Sequence, residues 1–225
     1  MILTSDKLDD WMKQFQTKLV ELFASRLKFL GIQGSYGRGE QTATSDIDVV
    51  VILDKVHFTD LQAYRKLLSS MEHCERICGF VAGEGELRNW EKSDLLQLVL
   101  DTKPVIGSFE DLYMLFSDKD IQRAVLTGAC NLYHACSHNY LHARSSEVLM
   151  GLYKTARFTV RMKHFLDTGN YIASMRDLEA GVAASDDRKI LQTANVIDCD
   201  CNDEAFDEYS CILLQWTSEL IQSLK

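Results

Sequence analysis

The sequence predicts an α+β fold, in which a domain with a small mixed β-sheet flanked by helices precedes an all-α helical bundle domain. Two observations carry this prediction. Short β-branched runs alternate with helical periodicity up to about residue 108, and beyond it only helical periodicity remains. A chain of 225 residues is long enough for two small domains. Residues 1–108 are therefore expected to form the first domain and residues 109–225 the second.

The first half alternates helices and strands. Apolar residues recur at helical spacing from Ser5 to about Leu27, from Thr59 to about His73, and over residues 86–101. Strands are predicted at residues 28–33, 47–53, 76–82 and 103–106. Pro104 is the only proline in the sequence, and proline lacks a backbone N–H. The last strand is therefore expected to lie at an edge of the sheet or to have Pro104 at its start.

The second half contains helical patterns only. Helices are predicted over residues 120–142, 146–166, 174–184, 186–196 and 204–224. Ser174 and Ser185 precede two of these segments, and serine is a favoured N-cap because its hydroxyl accepts from the first free backbone N–H groups. Both serines are expected to cap their helices.

The composition of the chain favours some classes of binding partner and disfavours others. The formal charge of −9, from 24 basic and 33 acidic residues, disfavours a long nucleic acid and suits a small cationic or uncharged acceptor. No run approaches 18 apolar residues, so no membrane span is expected. Seven cysteines at irregular spacing argue against a disulfide framework and favour a cytoplasmic location.

Two aspartates at the start of a strand are the first sign of chemistry. Residues 34–53 read GSYGRGEQTATSDIDVVVIL. Side chains i and i+2 of a strand point the same way, so Asp46 and Asp48 are expected to project together. Neighbouring carboxylates repel unless a cation lies between them, and oxygen ligands of this kind suit Mg²⁺. A solvated turn is the alternative reading of the isolated pair, and the surrounding residues argue against it.

The residues before the aspartates suit a phosphate group. Glycine at position 34 lets a phosphate approach the backbone, and the hydroxyl of Ser35 with nearby N–H groups can hold its oxygens. Arg38 can add charge-assisted contacts, and Ser45 completes the pattern before the aspartates. A phosphate cradle facing a metal site is what phosphoryl or nucleotidyl transfer needs, because positioning and charge neutralisation drive such reactions.

This stretch resembles the signature of the polymerase-β-type nucleotidyltransferases. The resemblance rests on Gly34 to Gly39 and on Ser45 to Val49, and it covers about residues 20–107. It implies a small mixed sheet flanked by helices, two Mg²⁺ ions, and transfer of a nucleoside monophosphate from an NTP with release of pyrophosphate.

A second resemblance covers the helical half. Residues 154–180 are similar to the C-terminal domain of aminoglycoside 3″-adenylyltransferases, through a basic residue, Thr168-Gly169 and a second basic residue. It implies ATP as the donor, a hydroxyl of a small, aminoglycoside-like molecule as the acceptor, and phosphate contacts by Arg161 and Arg176. Arg176 stands where the group has a lysine. Solvated arginines on helix surfaces are the alternative reading of both.

The sequence departs from this family at the third carboxylate. Active members present one from a later strand, and here residues 76–82, RICGFVA, hold no acid. Glu84 is the preferred candidate. The other candidate acids are Glu75, Glu86, Asp101 and Glu147. Because turnover without this group would fall sharply, a non-catalytic or antitoxin-like binding protein of the same fold is the alternative function.

Histidines recur every four residues in one predicted helix. His134, His138 and His142 form one stripe, a spacing that can bind zinc. The stripe lies opposite the apolar side of the helix. The sequence favours a polar helix surface over a metal site here.

Overall fold

The computed structural model describes the backbone of residues 5–224 and the side chains of residues 7–224. The chain forms two compact units, the first ending at Leu115 and the second beginning at Phe116. Within the described residues, every helix is too short or too polar to cross a lipid bilayer. All seven cysteines are free thiols.

The first unit alternates helices and strands, as the sequence predicts. Its elements are α1 (Ser5–Phe23), β1 (Leu27–Gln33), α2 (Gly34–Arg38), β2 (Ile47–Leu53), α3 (Phe58–Ser69), β3 (Ile77–Gly83), α4 (Glu84–Asn89), α5 (Lys92–Asp101), β4 (Lys103–Ile106) and α6 (Glu110–Tyr113). Single 3₁₀ turns precede β1 and β3, at Ala24–Arg26 and Cys74–Arg76.

The four strands form one mixed sheet in the order β3-β2-β1-β4. Strand β1 runs antiparallel to both β2 and β4, whereas β2 and β3 are parallel. The position of β4 at an edge confirms the expectation drawn from Pro104.

The central strand β2 is covered on both faces, which explains its unbroken apolar sequence. Val49, Val51 and Leu53 point to one face and join a core with α1 and α3. The residues that α1 and α3 contribute are Trp11, Met12, Phe15, Leu19, Phe23, Tyr64 and Leu67. Asp48 and Val50 point to the opposite face by alternation. Asp48 therefore faces away from the α1–α3 core.

Two local predictions for this unit are wrong. Residues 34–45 are predicted as a loop, but Gly34–Arg38 forms a short helix that Gly39 ends in the left-handed region at φ 74°. Residues 86–101 are predicted as one helix, but they form two, because the side chain of Glu91 accepts from the N–H groups of Ser93 and Asp94 and starts α5 anew.

The second unit is built of helices. They are α7 (Asp118–His138), a π-helical turn (Asn139–Ala143), α8 (Ser146–Thr168), α9 (Met175–Gly181), α10 (Ser185–Val196) and α11 (Asp203–Ser223). Helix α7 packs on α8 and α11, and α10 packs on α8. Fully buried positions of this core include Val125, Ala129, Leu149, Tyr153, Val160, Ile190 and Leu213.

The two expected serine caps differ in outcome. Ser174 is the N-cap of α9, since its hydroxyl accepts from the N–H of Asp177 at 3.3 Å. Ser185 is instead the first residue of α10, whose N-cap is Ala184. The hydroxyl of Ser185 lies 3.4 Å from the carboxylate of Asp186, so the cap prediction for Ser185 is wrong.

Candidate active site

Gly34 brings the start of α2 against the carboxylate of Asp48. Gln33, the last residue of β1, pairs with Asp48 across the antiparallel ladder. The next residue, Gly34, has φ 67°, and a Cβ built on it would lie 2.0 Å from Oδ2 of Asp48. The carboxylate therefore lies beside the first turn of a helix, where backbone N–H groups have no partner within the helix.

Asp46 and Asp48 flank the first residue of β2. Ile47 is fully buried, Asp48 is half-buried and Asp46 is exposed just before the strand. Both carboxylates thus lie at the end of β2 that faces α2. The positions of the two carboxylates agree with the expectation that they are oxygen ligands of a divalent cation. The carboxylate of Asp48 has room beside α2 because Gly34 has no side chain.

Arg76 holds the segment before the aspartates. Its Nε donates to the carbonyl oxygen of Ser45 at 3.0 Å, and its second terminal nitrogen donates to the same oxygen and, at 3.0 Å, to the hydroxyl of Tyr36. The hydroxyl of Ser45 accepts from the N–H of Thr42 at 2.8 Å. Ser45 therefore shapes the loop that precedes Asp46, a role that the sequence pattern does not specify.

A pocket of about 390 Å³ opens beside Asp48. Because Asp48 pairs with Gln33 on one side and with Cys78 on the other, these three side chains share one face of the sheet. Helix α5 supplies the opposite wall. The lining residues are Gln33, Asp48, Cys78, Gly79, Phe80, Trp90, Asp94, Leu95, Gln97, Leu98 and Asp101.

Two acids of α5 line this pocket. Asp94 and Asp101 are seven residues apart and so share one face of the helix. Oδ2 of Asp94 accepts from the indole N–H of Trp90 at 2.6 Å. Oδ2 of Asp101, which is buried, accepts from a terminal nitrogen of Arg38 at 2.6 Å.

Arg38 is therefore placed differently from the expectation. Its guanidinium contacts Asp101 and, at 3.1 Å, Glu40, and its side chain is only 11% exposed. Two carboxylates compensate its charge, so its contacts in this structure tie α2 to α5 instead of presenting a cation to a phosphate. Contact between Arg38 and a phosphate therefore stays a prediction.

The expectation that Glu84 supplies the third carboxylate is wrong. Strands β2 and β3 are parallel, with Asp48 beside Cys78 and Leu53 beside Gly83. Glu84 follows Gly83, so it lies about 20 Å along the strand direction from Cys78, at roughly 3.3 Å per residue. It stands at the opposite end of the sheet from the aspartates.

In the described part of the chain, no third ligand forms a compact group with the two aspartates. Among the described side chains, one set of three carboxylate, thiol or imidazole groups lies within 4.8 Å of one another, namely the exposed Asp198, Cys199 and Asp200 of the second unit. The residue beside Asp48 on the next strand is Cys78, whose thiol is exposed. A thiol thus occupies the sheet position nearest to Asp48 on that side.

The expected residues of the second unit are placed as follows. Arg161 is 1% exposed, and it donates to the carbonyl oxygen of Ala173 at 2.7 Å and to the hydroxyl of Tyr171 at 3.4 Å. These contacts secure the segment between α8 and α9 and leave the guanidinium inside its own unit. Arg176 is exposed on α9, and Glu147 is exposed in the first turn of α8.

The sequence interpretation missed the residues that surround the aspartates. Cys78 and Phe80 become visible only once the register of β3 against β2 is known. Asp101 is among the acids that the sequence offers for the third carboxylate. Asp94 and Leu98 were detectable with it, because their spacing of four and three residues marks one helix face.

Comparisons with known proteins support the interpretation of the first unit as a nucleotidyltransferase domain. Residues 12–123 match the family described as nucleotidyltransferase domain. A proposed protein adenylyltransferase of Methanocaldococcus jannaschii is 39% identical over 54 residues, which is 24% of this chain and 51% of that protein. The chain thus spans about half the length of this curated relative.

A solved structure is similar over nearly the whole chain. Spectinomycin adenyltransferase AAD(9) from Enterococcus faecialis, determined with ATP and spectinomycin, matches with a TM-score of 0.57 and 14% identity, covering 95% of this chain and 98% of that one. At this identity the likeness concerns the fold. The family match therefore identifies residues 12–123 as a nucleotidyltransferase domain, and the solved structure shares the fold of the chain.

Proposed function

We propose that this protein transfers AMP from ATP to a hydroxyl group of a small molecule. One observation carries the proposal: the carboxylate of Asp48 lies against the bend at Gly34, two residues after the exposed Asp46. Divalent cations held by the two aspartates and a triphosphate held by the start of α2 would then be neighbours.

Different residues of the protein would bind the metal ions and the phosphates. Asp46 and Asp48 offer oxygen ligands for Mg²⁺, with two ions expected. The backbone N–H groups of Gly34 and Ser35 and the hydroxyl of Ser35 would hold phosphate oxygens. When bound, Mg²⁺ would neutralise the charge of the phosphates.

The pocket beside Asp48 suits the acceptor. Phe80 and Trp90, whose ring centroids are 5.2 Å apart, form an apolar wall, and Asp94 adds negative charge. An acceptor that carries a hydroxyl and an amino group fits this lining and the net charge of −9. Asp94, which is exposed in the pocket, is the candidate base for the acceptor hydroxyl.

The proposal is tested first by nucleotide binding and then by turnover. Calorimetry with ATP and Mg²⁺ should give a single site, and Asp48→Asn should weaken binding or turnover by about 10- to 100-fold, because the cation loses an oxygen ligand. Turnover is followed with labelled ATP and a panel of amino-group-bearing alcohols. Folded protein that binds no nucleoside triphosphate would remove the proposal.

Two controls separate chemistry from folding. Asp9→Asn removes an exposed carboxylate on α1 and should leave binding and turnover unchanged. Asp94→Asn should lower turnover while leaving ATP affinity within about twofold, since it is assigned to the acceptor. If the labelled AMP appears on a co-purified protein, detected as an added AMP by intact mass, the acceptor is a protein.

A non-catalytic binding protein of the same fold is the second candidate. The observation that favours it is the thiol of Cys78 beside Asp48, where no third carboxylate joins the aspartates among the described residues. This function predicts that Asp46→Asn and Asp48→Asn leave the biological activity intact. Loss of that activity in both variants would exclude it.

A further inference from the structure

Three histidines form an exposed stripe in the second unit, away from the residues assigned to nucleotide transfer. His134 and His138 lie in α7, and His142 lies in the π-helical turn that follows it. All three side chains are exposed. Histidines four residues apart on one helical face can bind a transition metal ion together, as in metalloprotease helices.

The second histidine pair has the closer spacing. The ring centroids of His138 and His142 are 4.8 Å apart, whereas those of His134 and His138 are 6.3 Å apart. Two imidazoles that share a tetrahedral ion, at metal–nitrogen distances of about 2.0–2.1 Å, have centroids roughly 5 Å apart. The ring spacing of the pair His138–His142 agrees with this value.

The π-helical turn that carries His142 is held by buried contacts. Asn139 is 2% exposed, and its side-chain amide donates to the carbonyl oxygen of Ser145 and accepts from the N–H of Ser145, both at 3.0 Å. The N–H of Arg144 donates to the carbonyl oxygen of Asn139 at 2.7 Å. Single π-helical turns are rare and recur at functional sites.

The nearest cation on this turn is compensated. The guanidinium of Arg144 contacts a carboxylate oxygen of Asp207 at 3.0 Å and lies over the rings of Tyr140 and Phe206, at 5.2 and 4.9 Å. Its charge is therefore paired with α11, and repulsion of a second cation at His142 is reduced.

We propose that His138 and His142 form a binding site for a late first-row divalent cation such as Zn²⁺. Neutral imidazole nitrogens prefer Zn²⁺, Ni²⁺ and Cu²⁺ over Mg²⁺ and Ca²⁺, which prefer oxygen. Water fills the remaining positions, so the ion stays accessible at the surface. The site differs in ligand chemistry from the paired aspartates and does not depend on the proposed transferase activity.

The experiment follows the histidine rings directly. An untagged, full-length chain with ¹³C-labelled histidine is titrated with ZnCl₂ in the presence of millimolar MgCl₂ and a reductant. We expect the ring C–H signals of His138 and His142 to shift together, while those of His57 and His164 remain unchanged. In calorimetry, His138→Gln and His142→Gln should each weaken Zn²⁺ binding by at least about tenfold, since loss of even an outer-shell partner has such an effect.

Matched variants locate the ion. His134→Gln changes a neighbour on the same stripe and should weaken binding by less than either member of the pair. Cys199→Ser removes the central member of the exposed Asp198–Asp200 group and should leave the histidine shifts unchanged. Loss of Zn²⁺ binding in Cys199→Ser, equal binding in His142→Gln and the parent chain, or unmoved histidine signals would each overturn the proposal.

Discussion

A glycine at position 34 is required at the residue scale for two separate reasons. Its φ of 67° lies in the left-handed region, and residues other than glycine adopt this region only at a cost in conformational free energy. Any Cβ there would also collide with the carboxylate of Asp48. Gly39 separates the two effects, because its φ is 74° and nothing lies within 4 Å of a Cβ built on it.

We expect Gly34→Ala to impair the site far more than Gly39→Ala. Both variants place a side chain in the left-handed region, which costs about 1–2 kcal/mol of stability. Only Gly34→Ala displaces Asp48, so its turnover, or its affinity for ATP with Mg²⁺, should fall by about 100-fold, as when a metal ligand or a phosphate contact is lost. Steady-state kinetics, calorimetry and urea unfolding of both variants measure this difference.

Gly39→Ala is the control for backbone strain. It should lose stability without a change in nucleotide affinity beyond about twofold. If the two variants lost turnover and ATP affinity equally, backbone strain in α2 would account for the loss, and the collision with Asp48 would not.

The sequence predicts the core of the site better than its surroundings. Gly34, Ser35, Asp46 and Asp48 are close in the chain, so the motif predicts their proximity without knowledge of the fold. The partners of Arg38 depend on how α5 packs against α2, which no local pattern encodes. Glu84 follows the predicted strand in the chain, but the parallel register of β2 and β3 places it at the opposite end of the sheet from Asp48.

At the element scale, one buried carboxylate links three helices of the second unit. Asp187, in the first turn of α10, is 6% exposed. It accepts from the indole N–H of Trp216 in α11 at 2.8 Å and contacts the ammonium of Lys163 in α8 at 2.9 Å. Its neighbour Asp186 is exposed in the same first turn, so it shares the favourable position at the helix N-terminus without these contacts.

We expect Asp187→Ala to destabilise the protein by about 2–4 kcal/mol, because it leaves a buried indole N–H without its acceptor and removes one of the two carboxylates that contact Lys163. Asp186→Ala should lose less than about 1 kcal/mol, the contribution of an acid at a helix N-terminus. Urea unfolding followed by far-ultraviolet circular dichroism compares the two. Similar losses would show that the helix N-terminus, and not the buried contacts, accounts for the effect.

The element boundaries illustrate what periodicity can and cannot predict. Strand β2 and helix α11 were predicted nearly to the residue, because apolar runs and stripes define them. The π-helical turn after His138 was read as more α-helix, since its apolar spacing changes little while the buried side chain of Asn139 redirects the backbone. Helix α2 was missed because its two glycines read as a loop.

At the scale of the whole molecule, each unit has its own apolar core. In the first unit, α1 and α3 cover one face of the sheet. In the second, buried residues of α7, α8, α10 and α11 pack on one another, with Val125 and Leu149 fully buried. A unit that buries its own core can fold without the rest of the chain.

We therefore expect residues 116–225 to fold when produced alone. The fragment should give a helical circular dichroism spectrum and one cooperative thermal transition, with an unfolding enthalpy of about 70–80 kcal/mol, at about 0.7 kcal/mol per residue near 60 °C. Val125→Asp in the same fragment is the matched control, because a charge at a fully buried position should abolish the transition. A broad, non-cooperative melt of the parent fragment would show that its helices depend on residues 1–115 for stability, and the division of the chain after Leu115 would then lack an energetic basis.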